Sequence, residues 1–384
     1  MVLGATRRKF RRSRVNSRRA ALRPGWTAAC VALVSCWLLC AAAAARADLR
    51  IRGNQLIDGP GAHPVQIRGV NRSGLEYTCI QGYGFFDSPH PYRIDDPTMI
   101  AAMKSWNINA VRVPLNEDCW LGLHTSRGLG GAPYRRIVQR YVRALHRAGL
   151  YVILDLHVAA PGTMRSINIL RMPDADHAPA FWRSVAATFK NDHELIFDLY
   201  NEPHDIGWSC WLKGCEVAAN HDFGQEPAYR ATGMQQLVTA VRSTGARQPL
   251  MLGGLSWALD LSGWVSHLPR DPYHQLLASE HDYGLLAPCS SGCRAAIVAT
   301  HRRYPVVLGE LGETDCRHGY IDAMMGFADV HRISYLGWTW DAVAPGSWTC
   351  TGGPSLIENY AGTPTGFGVG FRDHLRSLGV PYRP

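Results

Sequence analysis

Two glutamates of this 384-residue chain lie at the ends of short apolar runs. Glu310 directly follows residues 306–309, and Glu202 is separated from residues 195–200 by Asn201 alone. A single glutamate in such a place often only caps the next helix. A pair can share one reaction, because cleavage of a glycosidic bond needs one carboxyl group that protonates the leaving oxygen and a second that attacks the sugar or activates water. The pair therefore indicates acid–base and nucleophilic chemistry on a glycoside.

Further polar and aromatic residues stand at the ends of the apolar runs. They are Asn71, Arg112, His157, Asn201, His281, Tyr283 and Trp340. Histidines in such places can be hydrogen-bonded core residues, substrate-binding residues or the ligands of a metal-dependent barrel hydrolase. No closely spaced His-x-His pair follows the first run, so we expect neither a metal nor an organic cofactor at this site.

The elements that must position these residues alternate regularly along the chain. The apolar runs predict eight strands, at Val65–Val70, Ala110–Pro114, Tyr151–Leu156, Leu195–Tyr200, Leu250–Gly253, Gln275–Ser279, Val306–Gly309 and Tyr335–Trp338. Amphipathic stretches predict helices at Pro97–Trp106, Tyr134–Ala148, Ala180–Phe189, Ala228–Thr244, Ser291–Tyr304 and Ile321–His331. This alternation is typical of an α/β protein with a closed (β/α)8 (TIM) barrel, whose active residues lie at the carboxyl ends of the strands.

The chain beyond residue 47 has no repeat, charge block or linker that would separate domains. We therefore expect residues 48–384 to form a single catalytic domain. Its first part, residues 48–64, predicts a short β-hairpin ahead of the barrel, with Asp58-Gly59 at the turn.

Residues 1–47 have the pattern of an export signal. Ten basic residues and no acidic residue precede Asp48, residues 26–45 are uncharged and apolar, and Ala45-Arg46-Ala47 resembles a cleavage site. Residues 17–22 resemble a twin-arginine signal. We expect a secreted protein, extracellular or periplasmic; the alternative is an uncleaved signal anchor, which would attach the protein to a membrane.

The charge distribution excludes one class of function. The whole chain carries +9, from 40 basic and 31 acidic residues, but ten of the basic residues precede Asp48, which leaves 30 against 31. A nucleic-acid-binding domain needs a basic patch on the folded protein, so we exclude this class. With 46% hydrophobic and 18% charged residues the chain can form a globular core. We expect the protein to be a monomer.

The eight cysteines beyond residue 47 are an even number, which fits disulfide bonds formed in an oxidising compartment. Close spacing predicts two of the bonds, and order along the chain suggests two more. The two closely spaced pairs are Cys210–Cys215 and Cys289–Cys293. The two pairs suggested by chain order are Cys79–Cys119 and Cys316–Cys350. A zinc site is the alternative, but neither close pair has the two-residue gap of a zinc knuckle.

Taken in order, the motifs resemble those of glycoside hydrolase family 5, the cellulase-type clan of retaining (β/α)8 enzymes. The resemblance covers nearly all of residues 50–375. It is carried by residues 110–114 around Arg112, 154–157 ending at His157, Asn201-Glu202-Pro203, His281-Asp282-Tyr283, 309–312 around Glu310, and 337–340 ending at Trp340.

The resemblance implies that Glu202 is the acid/base and Glu310 the nucleophile, with their carboxyl groups about 5 to 5.5 Å apart. Asn201 is expected to bind the sugar 2-hydroxyl. Arg112 and Tyr283 are expected to bind substrate and to keep Glu310 ionised. The charge of Glu310 is expected to hold the proton on Glu202. Two further residues, His157 and His281, are expected to line the substrate site. Glu313 is an alternative nucleophile, although Glu310 is the residue that directly ends the strand.

Tryptophan rings can stack on the apolar faces of sugars. We expect Trp340 to form such a platform at the cleavage site. Five others are expected in loops on the same rim, where they either extend the cleft or belong to the core: Trp120, Trp208, Trp211, Trp257 and Trp348. Three more are expected in helices or the core: Trp106, Trp182 and Trp264.

The activity implied by the resemblance is that of a secreted, retaining endo-β-1,4-glucanase, a cellulase whose partner is a β-glucan polysaccharide or oligosaccharide. An endo-β-1,4-mannanase or another β-glycanase of the clan is the alternative, since loops outside the cleavage site select the substrate. A barrel that binds glycans without turnover is the alternative of another class.

Overall fold

The computed structural model describes residues 48–87, 95–126, 128–220, 226–284, 289–313, 315, 317–342 and 354–379. All of them belong to one structural unit, Ala44–Pro384. The expected export signal, Trp348 and the cysteine pair Cys316 and Cys350 lie outside the described residues. Within the described part of the chain, no helix is both long enough and apolar enough to span a membrane.

The strands, in chain order, are β1 (Arg50–Arg52), β2 (Gln55–Asp58), β3 (His63–Val65), β4 (Arg68–Asn71), β5 (Ala110–Asn116), β6 (Tyr151–Val158), β7 (Leu195–Asp198), β8 (Cys215–Val217), β9 (Tyr229–Ala231), β10 (Leu250–Gly253), β11 (Leu276–Tyr283), β12 (Val306–Gly312) and β13 (Ser334–Gly337). Eight of them close into a parallel barrel in the order β4, β5, β6, β7, β10, β11, β12, β13 and back to β4. This confirms the predicted (β/α)8 barrel. The expected hairpin is part of a three-stranded antiparallel sheet, β1–β2–β3, in which β2 ends at Asp58.

The helices are α1 (Thr78–Gln81), α2 (Pro97–Ser105), α3 (Glu117–Leu121), α4 (Ala132–Arg147), α5 (Ala178–Phe189), α6 (Trp208–Lys213), α7 (Met234–Arg242), α8 (Ser291–His301), α9 (Gly319–His331) and α10 (Gly366–Ser377), with a short 3-10 helix at Trp264–His267. The longer ones bury one face against the strands. In α4 that face includes Val138, Tyr141, Val142 and Leu145, at helical spacing. Each such side chain contributes about 1.5 to 3 kcal/mol by leaving water.

The interior of the barrel has an apolar layer below a polar one. The apolar layer includes Ala110, Ile153, Ile196 and Leu336. Since side chains alternate between the two faces of a strand, the residue two positions later lies on the same face. Those residues are Arg112, Asp155, Asp198 and Trp338. The strands therefore direct polar side chains and one tryptophan toward the carboxyl end of the barrel.

One local prediction needs correction, and one helix was missed. The helix predicted over Ala228–Thr244 begins only at Met234, because residues 229–231 pair with β8 as strand β9. The C-terminal helix α10 was not predicted. Its first turn is glycine-rich, but Thr365 caps it by accepting a hydrogen bond from the Gly368 amide at 3.0 Å, and Phe367 and Phe371 bury its inner face.

Candidate active site

A cleft of about 470 Å³ opens at the carboxyl ends of the barrel strands. Its lining residues are His157, Ile169, Asn201, Glu202, Ser256, Trp257, Leu259, His281, Tyr283, Glu310 and Trp338. Six of the nine residues named from the strand ends in the sequence are among them. The other three, Asn71, Arg112 and Trp340, are buried outside this lining.

Glu202 and Glu310 face each other across the floor of the cleft. Glu202 follows β7, and Glu310 lies within β12. A carboxylate oxygen of each, together with a ring nitrogen of His281, lies within 4.8 Å of the other two atoms. Glycosidases that attack the sugar directly hold their carboxyl groups about 5 to 5.5 Å apart, whereas those that place a water between them need about 6.5 to 9.5 Å. The separation seen here fits the direct attack.

Arg112 is completely buried beneath Glu310. All of its guanidinium nitrogens are engaged: with Glu310 Oε1 at 2.8 Å, Asn201 Oδ1 at 2.7 Å, Asp198 Oδ2 at 2.9 Å, Asn71 Oδ1 at 3.0 Å and Asp155 Oδ2 at 3.0 Å. The expectation that Arg112 binds substrate is therefore corrected. It orients Glu310 and Asn201 from below, because burial leaves no part of it open to the cleft.

Both carboxylate oxygens of Glu310 accept hydrogen bonds. Arg112 donates to Oε1 at 2.8 Å, and the hydroxyl of Tyr283 donates to Oε2. Burial raises the pKa of Tyr283 well above its usual value, so this hydroxyl keeps its proton and remains a donor. These two bonds fix the carboxylate in one orientation.

Glu202 lies in a different environment. Burial raises the pKa of Glu202 from 4.5 to about 7, and His157 and Arg112 oppose that rise. The nearest ring is that of His281, whose Nδ1 is 3.0 Å from Glu202 Oε1. Burial also lowers the pKa of His281 to about 3, so this ring is neutral near pH 7. Burial thus retains the proton on Glu202, and the part expected of the Glu310 charge stays a prediction.

His157 and Trp338 form one wall of the cleft. Their rings stack with centroids 5.4 Å apart and an interplanar angle of 10°. The Nδ1 atom of His157 is 2.8 Å from Asp155 Oδ2, and burial lowers the pKa of His157 to about 4. This wall therefore presents an aromatic face and a neutral imidazole to a ligand.

Trp340 is not the platform. It is fully buried and packs edge-on against Trp106 with ring centroids 4.7 Å apart. The strand ends at Gly337, and the chain then turns so that the Trp340 amide donates to Asn71 O at 2.7 Å. Trp338 takes the expected place. The signal was present in the sequence, because Trp338 lies two residues after Leu336 of the barrel interior.

The other tryptophans divide between cleft and core. Trp257 is 42% exposed, lines the cleft and stacks on His204 with centroids 3.6 Å apart. Trp208 is half-buried and packs against the core. The remaining described ones are fully buried: Trp106, Trp120, Trp182, Trp211 and Trp264. Of the candidates for a longer cleft, the structure brings Trp257 to it.

Glu313, the alternative nucleophile, lies away from the cleft lining. Its carboxylate accepts hydrogen bonds from the backbone amides of Ile321 at 3.2 Å and Tyr320 at 3.5 Å, in the first turn of α9. Helix N-termini favour negative charge in this position. Glu313 is thus a helix-capping residue.

Three clusters within the described residues bring potential metal ligands within 4.8 Å of one another: Glu202, His281 and Glu310; Glu117, Asp174 and His177; and Glu280, Cys289 and Cys293. The cysteines of the last cluster form a disulfide bond. Three of the predicted disulfide bonds are present and confirmed: Cys79–Cys119, Cys210–Cys215 and Cys289–Cys293.

A family profile described as cellulase (glycosyl hydrolase family 5) matches residues 62–343. The chain belongs to glycosyl hydrolase family 5. The family recognised from the sequence is thereby confirmed, and with it the enzyme class, a glycoside hydrolase.

Curated relatives carry endoglucanase names. The chain is 26% identical over 249 residues to the "Manganese dependent endoglucanase Eg5A" of Phanerodontia chrysosporium, which covers 61% of this chain and 57% of the relative. It is 26% identical over 164 residues to "Endoglucanase E-5" of Thermobifida fusca, covering 42% of this chain and 29% of the relative. The chain thus spans less than two thirds of the length of these relatives.

Solved structures share the fold. A β-glucanase from Saccharophagus degradans superposes with a TM-score of 0.62 at 18% identity, over 87% of this chain and 94% of that one. The same β-glucanase has been solved in complex with cellotetraose, and that structure superposes equally well.

Proposed function

We propose that this protein is a retaining endo-β-1,4-glucanase. The observation that carries the proposal is the facing pair Glu202 and Glu310, with oxygens within 4.8 Å of each other. Their surroundings differ: Arg112 and Tyr283 donate to Glu310, whereas burial raises the pKa of Glu202 to about 7. Two carboxyl groups with different environments can take the two different roles of the reaction.

The proposed reaction has two displacements. Glu310 attacks the anomeric carbon while protonated Glu202 gives its proton to the leaving glycosidic oxygen, which produces a glycosyl ester and a shortened chain. Glu202, now ionised, takes a proton from water as that water attacks the same carbon. The ester bond breaks, Glu310 is released as a carboxylate, and the sugar keeps its original anomeric configuration.

The substrate assignment is supported by the cleft and by the relatives. Trp338 and Trp257 line a cleft with few charges beyond the catalytic pair, which suits a neutral glycan. The relatives are named endoglucanases, and the β-glucanase from Saccharophagus degradans was solved with cellotetraose. Asn201, whose Nδ2 has no partner among the described residues, is proposed to bind the sugar 2-hydroxyl.

We also propose that residues 1–47 direct export and that residues 48–384 act as one monomeric catalytic domain. Three disulfide bonds among the described residues support an oxidising compartment. Mass spectrometry of the secreted protein would locate the first residue of the mature chain, and light scattering would give its mass in solution.

The test is release of reducing sugar from carboxymethylcellulose, mixed-linkage β-glucan and β-mannan, with Glu202→Gln and Glu310→Gln as controls. The proposal expects cleavage of the glucans, loss of activity in both variants, a rapid fall in viscosity and the β-anomer as the first product by NMR. Faster cleavage of mannan would make the protein a mannanase. Binding of all three polymers without release would leave a glycan-binding barrel.

A further inference from the structure

Asp155 is a fully buried carboxylate that the proposed reaction does not use. It lies in β6, two residues after Ile153 of the apolar layer and two before His157. Its Oδ2 atom is 3.0 Å from Arg112 Nη2 and 2.8 Å from His157 Nδ1. Its Oδ1 atom has no hydrogen-bond partner among the described residues. A single oxygen of Asp155 therefore has two partners: it forms an ion pair with Arg112 and a hydrogen bond with the His157 ring.

These two partners belong to different parts of the site. Arg112 holds the nucleophile, because its Nη1 atom donates to Glu310 Oε1 at 2.8 Å. His157 belongs to the cleft wall, where its ring stacks on Trp338. Asp155 thus contacts both the residue that holds the nucleophile and a residue of the cleft wall.

We infer that Asp155 is a positioning residue that orients both the Glu310 carboxylate, through Arg112, and the wall formed by His157 and Trp338. An ionised Asp155 can only accept from Nδ1, and it thereby holds the His157 ring as the tautomer that is protonated at Nδ1. The Nε2 atom then has a free lone pair and accepts a hydrogen bond from a sugar hydroxyl. This inference rests on the proposed function, which places a sugar in the cleft.

Asp198 offers a matched control. It is also fully buried, lies on the adjacent strand β7, and has its Oδ2 atom 2.9 Å from Arg112 Nε. Its described hydrogen bonds go to Arg112, and none goes to a histidine. Replacing Asp198 therefore disturbs the support of Glu310 alone, whereas replacing Asp155 disturbs both supports.

The first experiment follows trapping of Glu310 by dinitrophenyl 2-deoxy-2-fluoro-β-cellobioside in the full chain. It yields an inhibitor dissociation constant and a trapping rate for the parent, Asp155→Asn, Asp198→Asn, His157→Gln and the double variant Asp155→Asn/His157→Gln. Replacing the hydrogen-bonded partner of a metal ligand typically changes affinity or activity by about 10 to 100-fold, and by analogy we expect changes of about tenfold here. Asp198→Asn should slow trapping without weakening binding, His157→Gln should weaken binding, and Asp155→Asn should do both.

Non-additivity decides the role of Asp155. In the double variant, His157→Gln should weaken binding no further, because the orientation of that ring is already lost. Unchanged binding in Asp155→Asn, or an additive loss in the double variant, would overturn the inference. Failure of the parent itself to be trapped would instead overturn the proposed function.

A second measurement needs no change at Asp155 and covers the case that Asp155→Asn does not fold. Long-range proton–nitrogen NMR spectra of the histidine-labelled parent report which ring nitrogen carries the proton, and His157→Gln identifies the signal. Burial raises the pKa of Asp155 to about 7, so the spectra are recorded at pH 8.5, where the inference expects a proton at Nδ1 and none at Nε2 of His157. The opposite tautomer would overturn it, whether or not the protein cleaves glucan.

Discussion

Replacing Glu202 by glutamine should make the protein inactive but more stable at alkaline pH. The Glu202 side chain is 13% exposed, and burial raises its pKa from 4.5 to about 7. A carboxyl group whose pKa is higher in the folded state holds its proton more tightly there than in the unfolded chain. Its stabilising effect is present below pH 4.5 and is lost as the pH rises to 7.

The size of the effect follows from that interval. At about 1.4 kcal/mol for each pH unit between 4.5 and 7, the parent loses about 3 kcal/mol of stability through this one group. Glutamine has nearly the same shape and does not ionise. Glu202→Gln should therefore match the parent near pH 4.5 and exceed its free energy of unfolding by about 3 kcal/mol at pH 8.5.

Urea unfolding of both proteins at pH 4.5, 7 and 8.5 measures this difference. Glu216→Gln is the control for removing a negative charge, because the Glu216 side chain is 77% exposed. In Glu310→Gln the bonds from Arg112 and Tyr283 are altered, so we expect no gain in stability at alkaline pH. If Glu202→Gln shows the same pH dependence as the parent, burial does not set the protonation of Glu202, and the reasoning is wrong.

The two neighbouring tryptophans should respond differently. Trp338→Ala should raise KM for cello-oligosaccharides about tenfold with little effect on unfolding, whereas Trp340→Ala should lower stability by about 3 to 5 kcal/mol in urea unfolding. Replacing both Cys79 and Cys119 by serine should cost about 4 kcal/mol of stability, since their sequence separation is 40 residues. EDTA should not reduce hydrolysis of β-glucan in a reducing-sugar assay, because side chains supply both acid and nucleophile; activity restored by Mn²⁺ would contradict this.

The barrel was predictable because its strands are buried on both faces and read as continuous apolar runs. Helix α10 was not, because its glycines oppose helix formation on sequence grounds. The structure shows why they are there: a Cβ on Gly368 would lie 1.9 Å from Leu356 O, and one on Gly370 would lie 2.3 Å from His318. Segments distant in sequence pack closely against α10 and require these glycines, and a local sequence pattern carries no information about such contacts.

The positions of site residues were predictable at the ends of strands, but not in the loops that follow the strands. Glu310 and His157 occupy strand ends, so their positions followed from the fold alone. Trp340 lies beyond Gly337, in a segment whose course depends on hydrogen bonds to other loops. Asp155 was overlooked as a site residue although the alternation of β6 places it on the same face as His157.

The different environments of the two glutamates come from the positions of two buried side chains. Arg112 lies at hydrogen-bonding distance from Glu310 and supplies a fixed positive charge below it. The corresponding neighbour of Glu202 is His281, which burial keeps neutral near pH 7 and which therefore supplies no such charge. Arg112 and Tyr283 therefore hold Glu310 through hydrogen bonds, whereas burial raises the pKa of Glu202 to about 7. The division of labour proposed for the pair thus depends on which of the two glutamates Arg112 contacts.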